Sequence, residues 1–277
     1  MRGWLVAVLD LVFPALCPAC GAALGAGRRD PLCGGCWAGI VRIAPPCCGL
    51  CGLPLGDVAP ATSGAAGVEP APGVMAGRPR AAEPPTAAPR RGGEDAGAPR
   101  CGPCAASPPP YDYGRAAGVY TGPLREALHA FKFRGRRALA GPLAALAAEQ
   151  CGARLPGDVE ALVPVPLAPA RERERGYNQA ALLAARLGRA LGLPVEPRWL
   201  ARVRPTQAQS ELPAAARRDN VRNAFHAAPA VAGRHVVLVD DILTTGATAA
   251  ACADALRAAG ARRIGVLAVA RALGVAL

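Results

Sequence analysis

From residue 111 onward the apolar positions alternate between two spacings, and the alternation predicts strands separated by helices. Residues 116–120, 161–165, 235–239 and 264–270 are apolar runs of strand length. The run at 235–239 is continuous and rich in valine, which suits a central parallel strand covered on both faces. Residues 123–131, 138–150, 178–191 and 247–259 predict helices. Pro123 opens the first of these, where a missing N–H costs little, and Gly260 closes the last. Leu183, Leu187 and Leu191 follow the i, i+4, i+8 spacing of one buried helix face. Strands and helices in this order predict an α/β fold, a mostly parallel sheet flanked by helices with right-handed crossovers.

The first hundred residues lack this rhythm. Trp4 to Leu9 is apolar, Asp10 interrupts it, and Leu11 to Phe13 resumes it, so residues 3–13 predict a short amphipathic helix packed on the domain behind. No small-x-small cleavage site follows, and Leu16 is too bulky to precede a lipidated Cys17. No stretch approaches the ~20 apolar residues of a membrane span. A cytoplasmic, reducing setting is therefore expected. Residues 52–100 hold 12 Ala, 9 Gly and 9 Pro among 49 positions and no aromatic residue, too little to build a core, and are expected to be a disordered insertion. The predicted organisation is a module of residues 1–51 plus 101–106, the insertion 52–100, and a domain 107–277.

Composition changes this picture in one respect. The 277 residues are 52% hydrophobic but only 4% aromatic, so much of the apolar fraction is alanine. Lys132 is the single lysine among 32 basic residues, and heavy use of Ala, Gly, Pro and Arg together makes arginine weak evidence in itself. The excess of 32 bases over 20 acids is more informative. Residues 101–277 carry 23 bases and 13 acids, a net +10, which points to an anionic partner.

Cys17 and Cys20, then Cys33 and Cys36, form two C-x-x-C knuckles twelve residues apart. Each turns two sulfurs toward one point, and together they supply the four thiolates of a closed structural Zn²⁺ site. Cys48 with Cys51 and Cys101 with Cys104 flank the insertion and supply a second site. Cross-bracing of the first knuckle with the third is an alternative pairing, and disulfides or a redox C-x-x-C are alternative chemistries. Cys47 has the wrong spacing for a ligand, and Cys151 and Cys252 read as buried structural thiols.

Residues 236–248 read Val-Val-Leu-Val-Asp-Asp-Ile-Leu-Thr-Thr-Gly-Ala-Thr. Two adjacent carboxylates, Asp240 and Asp241, follow a strand, where α/β proteins bind ligands and where acids hold ribose hydroxyls or a hydrated Mg²⁺. Thr244, Thr245, Gly246, Ala247 and Thr248 bring hydroxyls and backbone N–H groups to a helix start, which favours a phosphate. Arg171 and Arg175 are suited to pyrophosphate, since a guanidinium grips phosphate oxygens through a planar fork. Their neighbours Glu172 and Glu174 offset that charge, and a solvated charge run is the alternative. Six arginines and two acids between Arg198 and Arg222 read as a flap over an anionic substrate, or as a basic surface loop. His129, His226 and His235 are expected at the surface or at strand edges.

The segment 236–248 resembles the phosphoribosyl-pyrophosphate motif of type I phosphoribosyltransferases. Val163-Pro-Val-Pro166, Arg171 and Arg175-Gly-Tyr-Asn-Gln179 are similar to the corresponding loop and signature of the ComF (competence protein F, GntX-like) family. Thr206 to Phe225, Tyr120 to Arg125, Lys132 to Gly135 and the four knuckles resemble further parts of that family. The resemblance implies a Rossmann-like phosphoribosyltransferase fold behind a zinc module. It implies that Asp240 and Asp241 hold the ribose hydroxyls and Mg²⁺, residues 244–248 the 5-phosphate, and Arg171 and Arg175 the pyrophosphate of phosphoribosyl pyrophosphate. It also implies an association with competence and DNA uptake or nucleotide metabolism, with single-stranded DNA or a DNA-uptake helicase as partners. The competing reading is a non-catalytic DNA-uptake accessory with a regulatory phosphoribosyl pocket, although the low aromatic content counts against specialised single-strand binding. For the knuckles, metal analysis of the purified chain should find one or two tightly held zinc ions per molecule. Fewer than one would exclude the zinc reading.

Overall fold

The computed structural model describes residues 15–24, 31–56, 98–203 and 224–274. The helix expected at 3–13, nearly all of the insertion and most of the flap lie outside the described residues. In chain order the main elements are α1 (Gly34–Ala38), α2 (Gly102–Ala106), β1 (Tyr113–Val119), α3 (Gly122–Phe133), α4 (Ala140–Cys151), β2 (Ala161–Pro164), α5 (Pro169–Arg175), α6 (Gln179–Leu191), β3 (Leu200–Arg202), β4 (Phe225–Ala227), β5 (His235–Leu243), α7 (Ala247–Ala258) and β6 (Arg263–Arg271).

Four strands form one parallel sheet in the order β1-β6-β5-β2. Its central strands have no polar face, as expected of a sheet covered on both sides. Val237 and Val239 of β5 face a cluster built with Leu128, Leu143 and Leu183 of α3, α4 and α6. Val236 and Leu238 face the opposite cluster, with Cys252 and Leu256 of α7. Burial of both faces removes the alternation that usually marks a strand, and continuous valine takes its place. The antiparallel pair β3-β4 stands apart from the main sheet.

Boundaries differ from expectation in three informative places. β5 runs four residues beyond Val239, because β6 keeps pairing with it through Asp240 and as far as Leu243, so both acids belong to the strand. The stretch from Pro169 is a helix, α5, entered through Pro at its first turn and stopped by Gly176 at φ +76°. β3 and β4 are three residues each, too short to leave a periodic signal.

The cysteine module lies against β1. Gly49 O accepts from Gly114 N at 3.0 Å, and a Cβ on Gly114 would stand 2.4 Å from Leu50 O. The knuckle is thus inlaid directly on the strand backbone, a distance only glycine permits.

His235 departs most from expectation. It is fully buried rather than at a surface or edge. Its Nε2 lies 2.9 Å from Tyr113 Oη and its Nδ1 2.9 Å from Asp158 Oδ1. A neutral ring satisfies both partners, accepting from the tyrosine and donating to the carboxylate. Burial holds its pKa below the ordinary histidine value, with the Asp158 carboxylate opposing. The unfolded chain therefore takes up a proton at His235 more readily than the native one, and stability falls as pH drops below about 6.5. Urea midpoints measured at pH 7.5 and 5.5 isolate this contribution: on acidification the wild-type midpoint should drop relative to that of His235→Gln, because the other groups titrating in this range act alike in both proteins.

Candidate functional site

The acids at the end of β5 need a reason to coexist. Asp241 is 2% exposed, and Lys132 Nζ from the end of α3 lies 3.0 Å from its Oδ2 and 3.3 Å from its Oδ1. Each carboxylate also accepts from the next backbone amide, Asp240 Oδ1 from Asp241 N at 2.8 Å and Asp241 Oδ1 from Ile242 N at 3.0 Å. Burial pushes the Asp240 carboxyl up to about 8; the Asp241 charge adds to this and Lys132 opposes it. Burial alone would lower the Lys132 pKa, but Asp241 and Asp240 outweigh it and hold it above the usual lysine value. Lys132 is thus the cation in direct contact with the pair, and Arg175 adds a longer-range attraction to Asp241.

Beyond the acids the chain turns into α7. Gly246 takes φ +78°, and Ala247 N donates to Thr245 Oγ1 at 3.3 Å. Thr244, Gly246 and Thr248 line a cavity of about 440 Å³ together with Asp240 and Asp241. Thr245 and Ala247 are buried outside the lining and shape the turn. The N-terminus of α7 thus opens on this space through Gly246, Thr248 and Ala249, the arrangement that favours an anion.

The opposite wall comes from α5. Arg171 and Arg175, one helical turn apart, both line the cavity, whereas Glu172 and Glu174 between them are exposed to solvent. The acids thus leave the arginine face free. The residues that follow build the wall: Arg175 donates to Gln179 Oε1 at 2.5 Å, and the Tyr177 hydroxyl donates to the Phe131 carbonyl. Asn178 caps α6 by accepting from Ala180 N at 2.9 Å, and it donates to Val165 O at 3.1 Å, which ties the helix to the end of β2. Tyr120, Phe133 and Arg202 complete the lining.

Lys132 is the residue sequence reasoning passed over. Its signal was present, since it is the single lysine in a chain that otherwise uses arginine throughout. A compact ammonium on a flexible stem fits between a buried carboxylate pair and a neighbouring helix where a planar fork does not.

The eight knuckle cysteines fall into two groups, Cys17, Cys20, Cys33 and Cys36, and Cys48, Cys51, Cys101 and Cys104, with the sulfurs of each within 4.8 Å of one another. That separation suits four sulfurs at ~2.3 Å around one Zn²⁺. First pairs with second and third with fourth, so the cross-braced alternative is not the arrangement found. No disulfide joins any of these cysteines. Cys47 lies outside both groups, with Arg154 Nη1 3.5 Å from its sulfur. Among the described residues no helix is long and apolar enough to cross a membrane.

Comparison with known proteins agrees with both halves. Residues 8–66 match the double zinc ribbon domain and residues 175–274 the phosphoribosyl transferase domain. The first match ends before Cys101 and Cys104, which the fold brings back to Cys48 and Cys51. DNA utilization protein YhgH of Salmonella typhimurium is 37% identical over 180 residues, 62% of this chain and 78% of that protein. Competence protein F of Haemophilus influenzae is 37% identical over 182 residues, with the same 62% and 78% shares. Competence protein ComFC of Bacillus subtilis is 31% identical over 134 residues, 48% of this chain and 53% of that protein. With a structural zinc module set on a parallel-sheet phosphoribosyltransferase domain, and shared sequence across most of two such relatives, the chain belongs to the competence protein F family.

Proposed function

We propose that the cavity binds phosphoribosyl pyrophosphate with Mg²⁺ and that the protein transfers the phosphoribosyl group to an acceptor, in a cytoplasmic process tied to DNA use. The observation that carries the reading is convergence. The carboxylates of β5 and the turn that follows them line one space of about 440 Å³ with Lys132 of α3 and the arginines of α5, which are distant in sequence. That volume suits a small phosphorylated sugar. The division into a module of residues 1–51 and 101–106 and a domain from residue 107 is part of the same proposal.

The donor set fits a divalent cation, since two adjacent carboxylates line the cavity and Asp241 Oδ2 is buried and accepts no hydrogen bond beyond its ion pair with Lys132. Asp240 and Asp241 are the residues that would hold Mg²⁺, whose chemistry there is neutralisation of pyrophosphate charge. In the proposed reaction the anomeric C–O bond to pyrophosphate breaks as an acceptor bonds to the same carbon, through an oxocarbenium-like state. Arg171 and Arg175 take up charge on the leaving pyrophosphate, and the turn at Thr244–Thr248 holds the 5-phosphate. The acids fix the ribose hydroxyls, so the rate comes from positioning and electrostatics.

A second reading has its own support. The relatives carry names referring to DNA utilization and competence, and residues 101–277 have a net +10. Here the protein handles single-stranded DNA, alone or with an uptake helicase, and the cavity is regulatory. Release of pyrophosphate with any nucleobase or amine acceptor supports transfer. Salt-sensitive retention of single-stranded DNA with no release across the screen supports the accessory role.

Two substitutions test the site. Asp240→Asn combined with Asp241→Asn should abolish calorimetric binding of phosphoribosyl pyrophosphate with Mg²⁺, and unchanged affinity would refute the assignment. Lys132→Arg keeps the charge but enlarges the group beside Asp241, and should weaken binding about tenfold, roughly 1.4 kcal/mol. Equal affinity in this variant would remove Lys132 from the site.

A further inference from the structure

Arg271, the last residue of β6, is the largest fully buried side chain among the described residues, at 1% exposure. Its Nε donates to Cys51 O at 3.1 Å. Its Nη1 reaches Leu243 O at 3.0 Å, Thr244 O at 2.5 Å and Ala272 O at 2.8 Å. Cys51 belongs to the second cysteine group, and Leu243 and Thr244 lead from β5 into the turn before α7. One guanidinium therefore grips the metal knuckle on one side and the anion-binding turn on the other.

Its charge makes this more than a hydrogen-bond tie. Arginine stays protonated in proteins, and a buried charge is costly unless compensated. Among the described residues the hydrogen-bond partners of Arg271 are carbonyl oxygens, with no carboxylate. Zinc held by four thiolates would carry a net charge of about −2, and Cys51, whose carbonyl Arg271 grips, is one of the four residues that would hold it. Loss of the metal would release the knuckle that presents the Cys51 carbonyl, one of the acceptors that hold the guanidinium. The guanidinium would then lose part of its compensation at a site where it cannot reach water without releasing Leu243 and Thr244.

We infer that zinc at the Cys48, Cys51, Cys101 and Cys104 site holds the anion-binding turn in shape through Arg271, so that metal occupancy and anion binding are thermodynamically linked. The second half rests on the phosphate reading of the turn given above; the first half does not. Arg271 is on this account a positioning residue, buried and out of the cavity. The module is rigid enough to transmit the constraint. Gly49 O is held by Gly114 N and by Arg115 Nη1, each at 3.0 Å, and a Cβ on Gly52 would meet Ala116 N at 3.2 Å. The first cysteine group has no such tie to the turn among the described residues, and its Cys20 is exposed.

Hydrogen exchange of the full chain, read by mass spectrometry on peptides covering residues 242–250 and 179–191, tests the linkage. Three variants are compared with wild type: Cys104→Ser, which empties the second site; Cys20→Ser, which weakens the first; and Arg271→Lys, which keeps the charge but loses the fork. Exchange in the turn should rise about fivefold or more in Cys104→Ser and Arg271→Lys and stay at the wild-type rate in Cys20→Ser, with α6 unchanged in all three. An unchanged turn in Cys104→Ser or Arg271→Lys, or an equal rise in Cys20→Ser, overturns the inference. If Cys104→Ser also loosens α6, Arg271→Lys with its zinc content measured decides alone, and a quiet turn there overturns it. Calorimetry with pyrophosphate and Mg²⁺ on the same samples separates the two readings. Failure of wild type to bind pyrophosphate refutes the cavity assignment, while the exchange data still judge the tie between metal and turn.

Discussion

Two carboxylates on consecutive residues at the buried end of a parallel strand are the constraint around which this fold is arranged. Asp240 and Asp241 cannot both be ionised there without nearby positive charge, and burial already pushes Asp240 up to about 8. The surrounding elements deliver that charge from three directions. α3 ends with Lys132 against Asp241, α5 turns Arg171 and Arg175 into the same cavity, and α7 points its N-terminus at the space between them. The parallel sheet makes such convergence possible, because each crossover returns the chain so that the carboxyl ends of β2 and β5 and the helices that follow open on one side.

The N-terminal module answers a different problem. The first cysteine group joins the main core through Leu32 and Ile40, whereas around the second, among the described residues, Leu50 and Leu53 are the partly buried apolar side chains packed against the four cysteines. A cluster this poor in apolar residues gains little from burial, and metal ligation is the stabilisation its four thiols are suited to supply. The module also gains from β1, where Gly114 lets the third knuckle lie on the strand backbone. The third knuckle, β1 and β6 thus form one stack, and Arg271 extends it to the turn before α7.

Much of this was legible in the sequence, for physical reasons that differ by element. The valine run of β5 and the leucine spacing of α6 announced themselves, because burial on both faces or on one stripe forces a particular residue choice. The paired acids and the Thr-Gly-rich turn were visible because their chemistry is confined to nine consecutive residues, 240–248. What failed to show depended on contacts between distant segments. The extension of β5 through its acids is decided by pairing with β6. The burial of His235 is decided by Tyr113 and Asp158, each more than 75 positions away. The pairing of the third and fourth knuckles spans 50 residues between Cys51 and Cys101, and spacing alone left it open to cross-bracing.

Net charge is the property that changed most in meaning. A +10 domain suggests a surface coated for an anion, yet many of its arginines already have partners within the chain, several of them in ion pairs at the surface. Arg257 pairs with Asp112, Arg262 with Asp158, and Arg234 with Glu160. Arg137 donates to Gly176 O and lies over Tyr177, Arg154 caps the carbonyl of Gln150, and Arg271 is buried on four carbonyls. The cationic side chains that line the cavity are fewer: Arg171, Arg175, Arg202 and Lys132, the last of them paired with Asp241. The field that draws an anion toward this domain and the groups that would hold it are thus largely different residues. Screening by salt acts on the first far more than on the second, because the cavity groups are partly withdrawn from solvent. A small phosphorylated ligand engaged by the cavity should therefore bind with weak dependence on ionic strength, whereas a polyanion read by the outer arginines should not.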